Sequence, residues 1–279
     1  WQPSASFDTL VQRARLLGAT RDFFRQRGLL EVETPALVAH AVSDPHLANI
    51  PAHLADGRKL WLHTSPEYHM KRLLAAGAPD IWQLGKVFRD GEAGRRHEPE
   101  FTLLEWYRRD CTLRALADES CELIATLASV VGRQLAAPVY LSYRELFLSA
   151  TGIDPLGADA VMLRNCAREA LGSSLDTGLE NRLGDDVDAW RDLLMSHAVS
   201  KHLAATELAV VSAYPASQAA LARIDPDDGR IAERFEIFCA GLEVANGYRE
   251  LRDAEEQARR FSSDRAARAR LGRPAVMPD

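Results

Sequence analysis

The chain has 279 residues, 47% of them hydrophobic and 27% charged, with a formal net charge of -6. That length and apolar content suit one large globular domain, and the acidic balance excludes a chain built for nonspecific nucleic-acid binding. No apolar run approaches the roughly 20 residues that span a bilayer, and the start, Trp1-Gln2-Pro3-Ser4, has no signal-peptide pattern, so a cytoplasmic protein is expected.

Phe7 to Arg27 sets Leu10, Val11, Leu16, Leu17, Phe23 and Phe24 among charges, which predicts a helix closed by Gly28. A short strand, Leu29 to Val32, and Pro35 follow. His40 to Asp56 reads as loop, and the irregular spacing of His40, His46 and His53 argues against a metal site. Lys59 to Thr64 alternates as a strand does. Ser65 is expected to cap a helix running from Pro66 to about Ala76, with Pro66 in its first turn. Strands are expected over Ile81–Arg89 and Phe101–Arg109, and a long helix over Thr112–Leu135. Two short helices, Tyr143–Thr151 and Asp159–Leu171, precede a polar linker. Then come a helix over Asp188–His202, a buried strand over Glu207–Tyr214, a strand pair or bent strand over Glu233–Leu251, and a charged helix over Asp253–Leu271 whose alternating charges read as a mostly solvated face. The four cysteines, Cys111, Cys121, Cys166 and Cys239, form no C-x-x-C pair, which argues against zinc and against a disulfide framework.

The chemistry is densest between Phe88 and Tyr107. Two apolar runs flank a polar loop carrying Arg95, Arg96 and His97. Such a hairpin can set Arg89 over a phosphate while Glu105, on the second strand, faces a cation. ATP and an amine-bearing acid would suit it. Glu67, Glu105 and Glu250 are carboxylates separated in sequence, and an acid with two ammonium groups would need two separated anionic pockets, because each buried cation must be paired. Glu243 and Glu250 stand seven apart, an odd spacing that puts them on opposite faces of a strand unless the chain bends, and Asn246-Gly247 is the expected bend.

The run Arg96-His97-Glu98-Pro99-Glu100-Phe101-Thr102, followed by Leu104-Glu105-Trp106-Tyr107, resembles motif 2 of the class II aminoacyl-tRNA synthetases, in its lysyl form. Helix, short strand and Pro35 resemble motif 1, which in that family forms a homodimer interface. The resemblance implies an α+β fold, a class II synthetase-like catalytic core over residues 1–279 with an antiparallel sheet flanked by helices. It implies ATP as co-substrate and Mg²⁺. Arg89 would be catalytic, binding substrate carboxylate and α-phosphate together. Ser65, Pro66, Glu67, Glu105, Tyr107 and Glu250 would bind the amino acid. Arg89, Asp90, Gly91, His97, Glu98, Phe101, Glu243 and Val244 would bind ATP, with Phe101 stacked on adenine, and Glu243 and Glu250 would hold the metal. The chain departs from the family at Gly91, where an acid is usual, so that either Glu92 shifts into the role or the Gly91 backbone supplies it, and at Glu98, where asparagine is usual. Tyr214 to Leu221 also fits the family and is expected to buttress the site.

No anticodon-binding domain is expected ahead of motif 1, and the chain is expected to end before motif 3. The first of these, with the start at Trp1 and the Tyr214-Pro-Ala-Ser-Gln run, resembles the stand-alone paralogues of lysyl-tRNA synthetase that attach (R)-β-lysine to a lysine side chain of elongation factor P. The expected partners are therefore elongation factor P, ATP and β-lysine or lysine, with no membrane and without tRNA. Two other readings stay open: a lysyl-tRNA synthetase-like fragment that acts on tRNA or makes free lysyl-adenylate, and a catalytically silent binding module.

Overall fold

The computed structural model describes residues 2–94 and 97–276, so Trp1, Arg95 and Arg96 lie outside the described residues. Its helices and sheets make an α+β fold, and its contacts divide the chain into two compact units: residues 17–110 with 253–279, and residues 1–16 with 111–252.

The unit holding residues 17–110 takes in the second half of helix α1 (Phe7–Gln26), where Gly28 at φ 74° closes the helix. Strands β1 (Leu30–Glu31), β5 (Ile81–Phe88) and β6 (Glu100–Tyr107) form one sheet, with β1 parallel to β5 and β5 antiparallel to β6. Its core is aromatic. Phe24 is fully buried and stacks on Trp82 at 4.9 Å, with Trp106 at 5.4 Å, a burial worth about 1.5–3 kcal/mol for the phenyl ring alone. A second sheet pairs β2 (Leu37–Val38) and β3 (Pro51–His53) with β4 (Lys59–Leu62). The region expected as loop around His53 is thus partly an edge strand, opened by a proline as edge strands allow. Helix α2 (Glu67–Ala75) starts one residue later than expected: Pro66, not Ser65, is the cap, because its carbonyl takes the first helical bond, from Met70 at 2.9 Å.

The other unit carries α3 (Leu113–Val130), β7 (Val139–Ser142), α4 (Tyr143–Thr151), α5 (Ala160–Leu171), α6 (Thr177–Leu183), α7 (Val187–Leu194), α8 (Ser200–Leu203), β8 (Ala209–Pro215), β9 (Ile231–Cys239) and β10 (Leu242–Tyr248). Its sheet runs β10-β9-β8-β7, antiparallel except for the parallel β7–β8 pair. Helix α3 seals one face through Ala117 and Cys121 against Val210, Phe235 and Ile237. The α4–α8 layer seals the other through Phe147, Leu163, Trp190 and Leu194. Three expectations shift here. The long helix stops at Val130, five residues short, as Gly132 takes a positive φ. The polar linker holds α6, capped by Asp176. The helix over Asp188–His202 is interrupted by a π-turn at Met195–Val199. Helix α9 (Ala254–Arg270), capped by Asp253, returns to the first-described unit.

Candidate active site

In the β5–β6 hairpin, the strand ends deliver the reactive groups. His63 pins the end of β5: its carbonyl accepts from Phe88 N at 3.0 Å and its ring Nε2 donates to Lys86 O at 2.8 Å. Arg89 follows at once, its N–H held by Pro99 O at 2.9 Å across the loop. Its guanidinium carbon lies 4.9 Å from the centre of the Phe101 ring. Its one ion pair among the described residues, to Glu92, is long at 3.8 Å. The Nε of Arg89 is buried with no hydrogen-bond partner among the described residues. A buried donor left unmade is costly, and buried polar groups are otherwise nearly always satisfied. Such an orphan fits an anionic ligand. The displaced acid of the motif, Glu92, is the one that meets Arg89.

Asp90 is held by its N–H to Ala48 O at 2.8 Å, and Gly91 adopts φ 77°, a left-handed turn that a side chain at this position resists. Asp90, Gly91, His97 and Glu98 are exposed and form the rim of the loop, with Gly94 N bonded to His97 O at 2.9 Å.

Further along β6, alternation puts Phe101, Glu105 and Tyr107 on one side of the strand. Tyr107 Oη donates to Glu105 Oε1 at 2.7 Å. Across the ladder, Glu105 faces Gln83, whose buried amide oxygen accepts Thr34 N at 3.0 Å. The carboxylate is therefore backed by a strand anchored at both edges. Glu67 opens α2, where the helix dipole favours a negative charge, and pairs with Lys71 at 2.7 Å, both partly buried. Ser65 Oγ accepts Glu67 N at 3.4 Å, and Pro66 is buried.

Glu243, Val244 and Glu250 belong to the other unit. Strands β9 and β10 are joined by Ala240-Gly241, both at positive φ (49° and 78°), the two-residue turn that suits twisted hairpins. The register slips between Glu243 and Ala245, so Val244 is a bulged residue and the chain bends there. This corrects the expected bend at Asn246-Gly247, which lies within the ladder. Gly247 is required for another reason: a Cβ there would lie 2.5 Å from the Phe235 ring. The bulge removes the odd count. Glu243 and Tyr248 face Phe238 and Arg234, four apart on β9, and so share a face, with Glu250 two residues beyond Tyr248. Ala222 bridges to Glu250, Leu221 O accepts Leu251 N at 3.0 Å and Gln218 O accepts Arg234 Nη1 at 2.6 Å, so the Tyr214–Leu221 segment contacts this edge, while Ser217 and Gln218 also bond Asp188 and Asp192 of α7.

Three groups escaped the sequence reading. Glu236 is buried beside this face, accepting Tyr214 Oη and Arg234 Nη2, each at 2.6 Å. Burial and the Glu236 carboxylate hold the Tyr214 hydroxyl well above the usual tyrosine pKa. His63 and Arg268 are the others. The alternation around Glu236 in Arg234-Phe235-Glu236-Ile237 was the available signal for the first. Among the described residues, no group of three His, Cys, Asp or Glu side chains is arranged to hold a metal alone. Glu243 and Glu250 are a donor set that suits magnesium only in company with phosphate oxygens.

A part-buried arginine against an aromatic ring, on an antiparallel hairpin whose second strand carries a hydroxyl-backed carboxylate, fits a synthetase catalytic core. The chain belongs to the tRNA synthetases class II (D, K and N), the family model matching residues 3–271. It is similar to proteins named "Elongation factor P--(R)-beta-lysine ligase". That of Photorhabdus laumondii is 43% identical over 98% of this chain and 83% of its own length. Those of Yersinia enterocolitica and Histophilus somni are 43% and 44% identical over the same shares.

Proposed function

We propose that this chain is an ATP-dependent ligase that activates (R)-β-lysine as an adenylate and transfers it to a lysine side chain of elongation factor P. The observation that carries the chemistry is Arg89, with its buried, unmatched Nε beside Phe101. The acceptor and the acid come from the names of relatives that match 98% of the chain.

In the first step a carboxylate oxygen attacks the α-phosphorus of ATP and pyrophosphate leaves. Two anions must approach, and charge grows on the phosphoryl oxygens. A guanidinium fork meets both and keeps its proton throughout. Phe101 offers its ring to adenine. Glu105, held by the Tyr107 hydroxyl, takes the terminal ammonium, and Glu67 takes the other amine, exchanging part of its pairing with Lys71. Magnesium, when bound, neutralises phosphate oxygens, and Glu243 and Glu250 would hold it. In the second step the acceptor amine attacks the adenylate carbonyl, an amide forms, AMP leaves and the amine gives up a proton. The same reading has the chain acting as a homodimer in the cytoplasm through the Leu29–Pro35 segment, in which Leu30 is exposed, as is Leu37 just beyond it.

The test is ATP-dependent mass gain on purified elongation factor P, with (R)-β-lysine and α-lysine in parallel and tRNA as control acceptor. A β-lysine-sized gain on the factor alone supports the reading, and charging of tRNA instead overturns it. In Glu105→Gln the KM for the amino acid should rise about 10- to 100-fold while that for ATP holds.

A further inference from the structure

Helix α9 reads as a solvated charged helix, yet one stripe of it is turned inward. Phe261, Asp264 and Arg268 stand at i, i+3 and i+7, the spacing of one helical face. Arg268 is 4% exposed and its guanidinium donates to three backbone carbonyls: Asp44 O at 2.7 Å, Leu47 O at 2.8 Å and Pro274 O at 3.4 Å. Asp264 accepts the Ser43 hydroxyl at 3.1 Å. Ser43 is itself buried, and the Tyr68 ring lies 6.2 Å from that of Phe261.

The loop so gripped leads directly to the site. Ala48, one residue beyond Leu47, supplies the carbonyl that holds Asp90 N, and Asp90 adjoins Arg89. Tyr68 adjoins Glu67. A cleft of about 350 Å³, lined by Ala48, Asp90, Gly91, Arg268 and Arg273 among others, opens beside this loop. Where the cleft opens, the Arg268 hydrogen bonds hold residues 44–47, while Asn49 ties the loop elsewhere through Val42 N at 3.0 Å and Leu62 O at 3.2 Å. The arrangement is an expensive one. Among the described residues the hydrogen bonds of the Arg268 guanidinium all go to carbonyls, with the Asp44 carboxylate acting only through its charge, and burying a cation on carbonyls costs more than an apolar brace would. Burial, with Arg273 close by, pulls its pKa below the usual arginine value.

We propose that the inner stripe of α9 is a latch on the substrate-binding loops, and that Arg268 is a positioning residue which sets Arg89 for ATP by holding residues 44–48 under Asp90. This rests on the assignment of Arg89 to adenylate formation.

The experiment compares the full chain with Arg268→Gln and Arg268→Lys in amino-acid-dependent ATP–pyrophosphate exchange, alongside urea unfolding and amide exchange without substrate. In Arg268→Gln the KM for ATP should rise about 10- to 100-fold, the scale of an ångström-sized misplacement, with cooperative unfolding kept, and Arg268→Lys should recover part of the loss. Protection of the Asp90 amide should fall at least about tenfold with the hydrogen bonds beneath it. An unchanged KM for ATP, or a kcat that falls only in step with the folded fraction, overturns the latch. If Arg268→Gln does not fold, Ser43→Ala carries the test, with an expected rise of about 2- to 10-fold. Absence of exchange by the unaltered chain counts against the proposed activity. The latch is then judged by Asp90 protection, which needs no substrate, and equal protection in the variant and the unaltered chain overturns it.

Discussion

Two long antiparallel hairpins carry the candidate chemistry, and they solve opposite problems. The β5–β6 hairpin ends in an eleven-residue excursion, Arg89 to Pro99, between Phe88 and Glu100. The β9–β10 hairpin turns on two residues. The first leaves its cation at the mouth of a loop, with a donor unmatched and a glycine at φ 77°. The second sets acids along a bulged strand, above a buried glutamate that is already paired with Arg234 and Tyr214. The lesson is electrostatic. On the proposed reading, a cation that takes an anionic ligand can be left with only a long ion pair, whereas a buried acid needs its counter-charge in the fold itself.

The sharpest way to break this comparison is Arg89→Ala. If the unmatched guanidinium meets the developing phosphoryl charge, pyrophosphate exchange should fall by about 10² to 10³-fold while urea stability changes little, since the side chain's ion pair to Glu92 is long at 3.8 Å. Near-normal exchange would remove Arg89 from the mechanism. A large loss of stability would make it a structural residue, like the Arg234 of the other hairpin.

The same contrast explains what was legible in the sequence. The β5–β6 site was legible because its spacing is local: Arg89 at one strand end and Phe101, Glu105 and Tyr107 on alternate positions of the next strand need only period two. Strand and helix cores followed from apolar periodicity, with ends misplaced by a few residues where a cap decided, as at Pro66 and Gly132. The sequence puts the bend near Glu243 at Asn246-Gly247, because that pair favours turns, but the bulge falls at Val244, and Gly247 is there to receive the Phe235 ring. Nothing local announces such a packing demand. Arg268 was hidden for a related reason. Its partners, the carbonyls of Asp44 and Leu47, lie more than 200 residues away and are backbone atoms that every residue owns.

The glycines sharpen the comparison at smaller cost. An added methyl at Gly247 would meet Phe235 Cζ at 2.5 Å and Cε1 at 2.8 Å, and that ring is 1% exposed in a packed core. Gly247→Ala should therefore destabilise by about 1–3 kcal/mol, as overpacking does, read as a lower urea midpoint at unchanged m. At Gly91 the space is open but φ is 77°, so Gly91→Ala should cost about 1 kcal/mol, the lower end of the left-handed penalty. Its larger effect should be on the KM for ATP. Equal urea midpoints and equal KM values for the two variants would mean that the hairpins are not specialised in this way.

The smallest effect tests the rule on buried acids. Glu236 has an arginine, but Asp264 has the Ser43 hydroxyl as its close partner, and burial pushes its carboxyl above the usual aspartate range. A raised folded-state pKa means that the folded chain holds the proton longer than the unfolded one. This group's contribution is then most favourable below the unfolded pKa and is lost as pH rises through the folded value. At pH 7 the wild-type chain carries the whole penalty of the charge. Asp264→Asn keeps an oxygen for Ser43 and removes that charge, so its stability relative to wild type should improve from pH 4 to pH 7, by up to about 0.5 kcal/mol given the partial exposure. Urea unfolding at the two pH values reads the difference directly. A variant that instead loses ground as the pH rises would show that the ionised carboxylate is stabilised where it sits, by Arg260 and His46 acting at longer range, and the contrast with Glu236 would then be one of distance to a cation rather than of its presence.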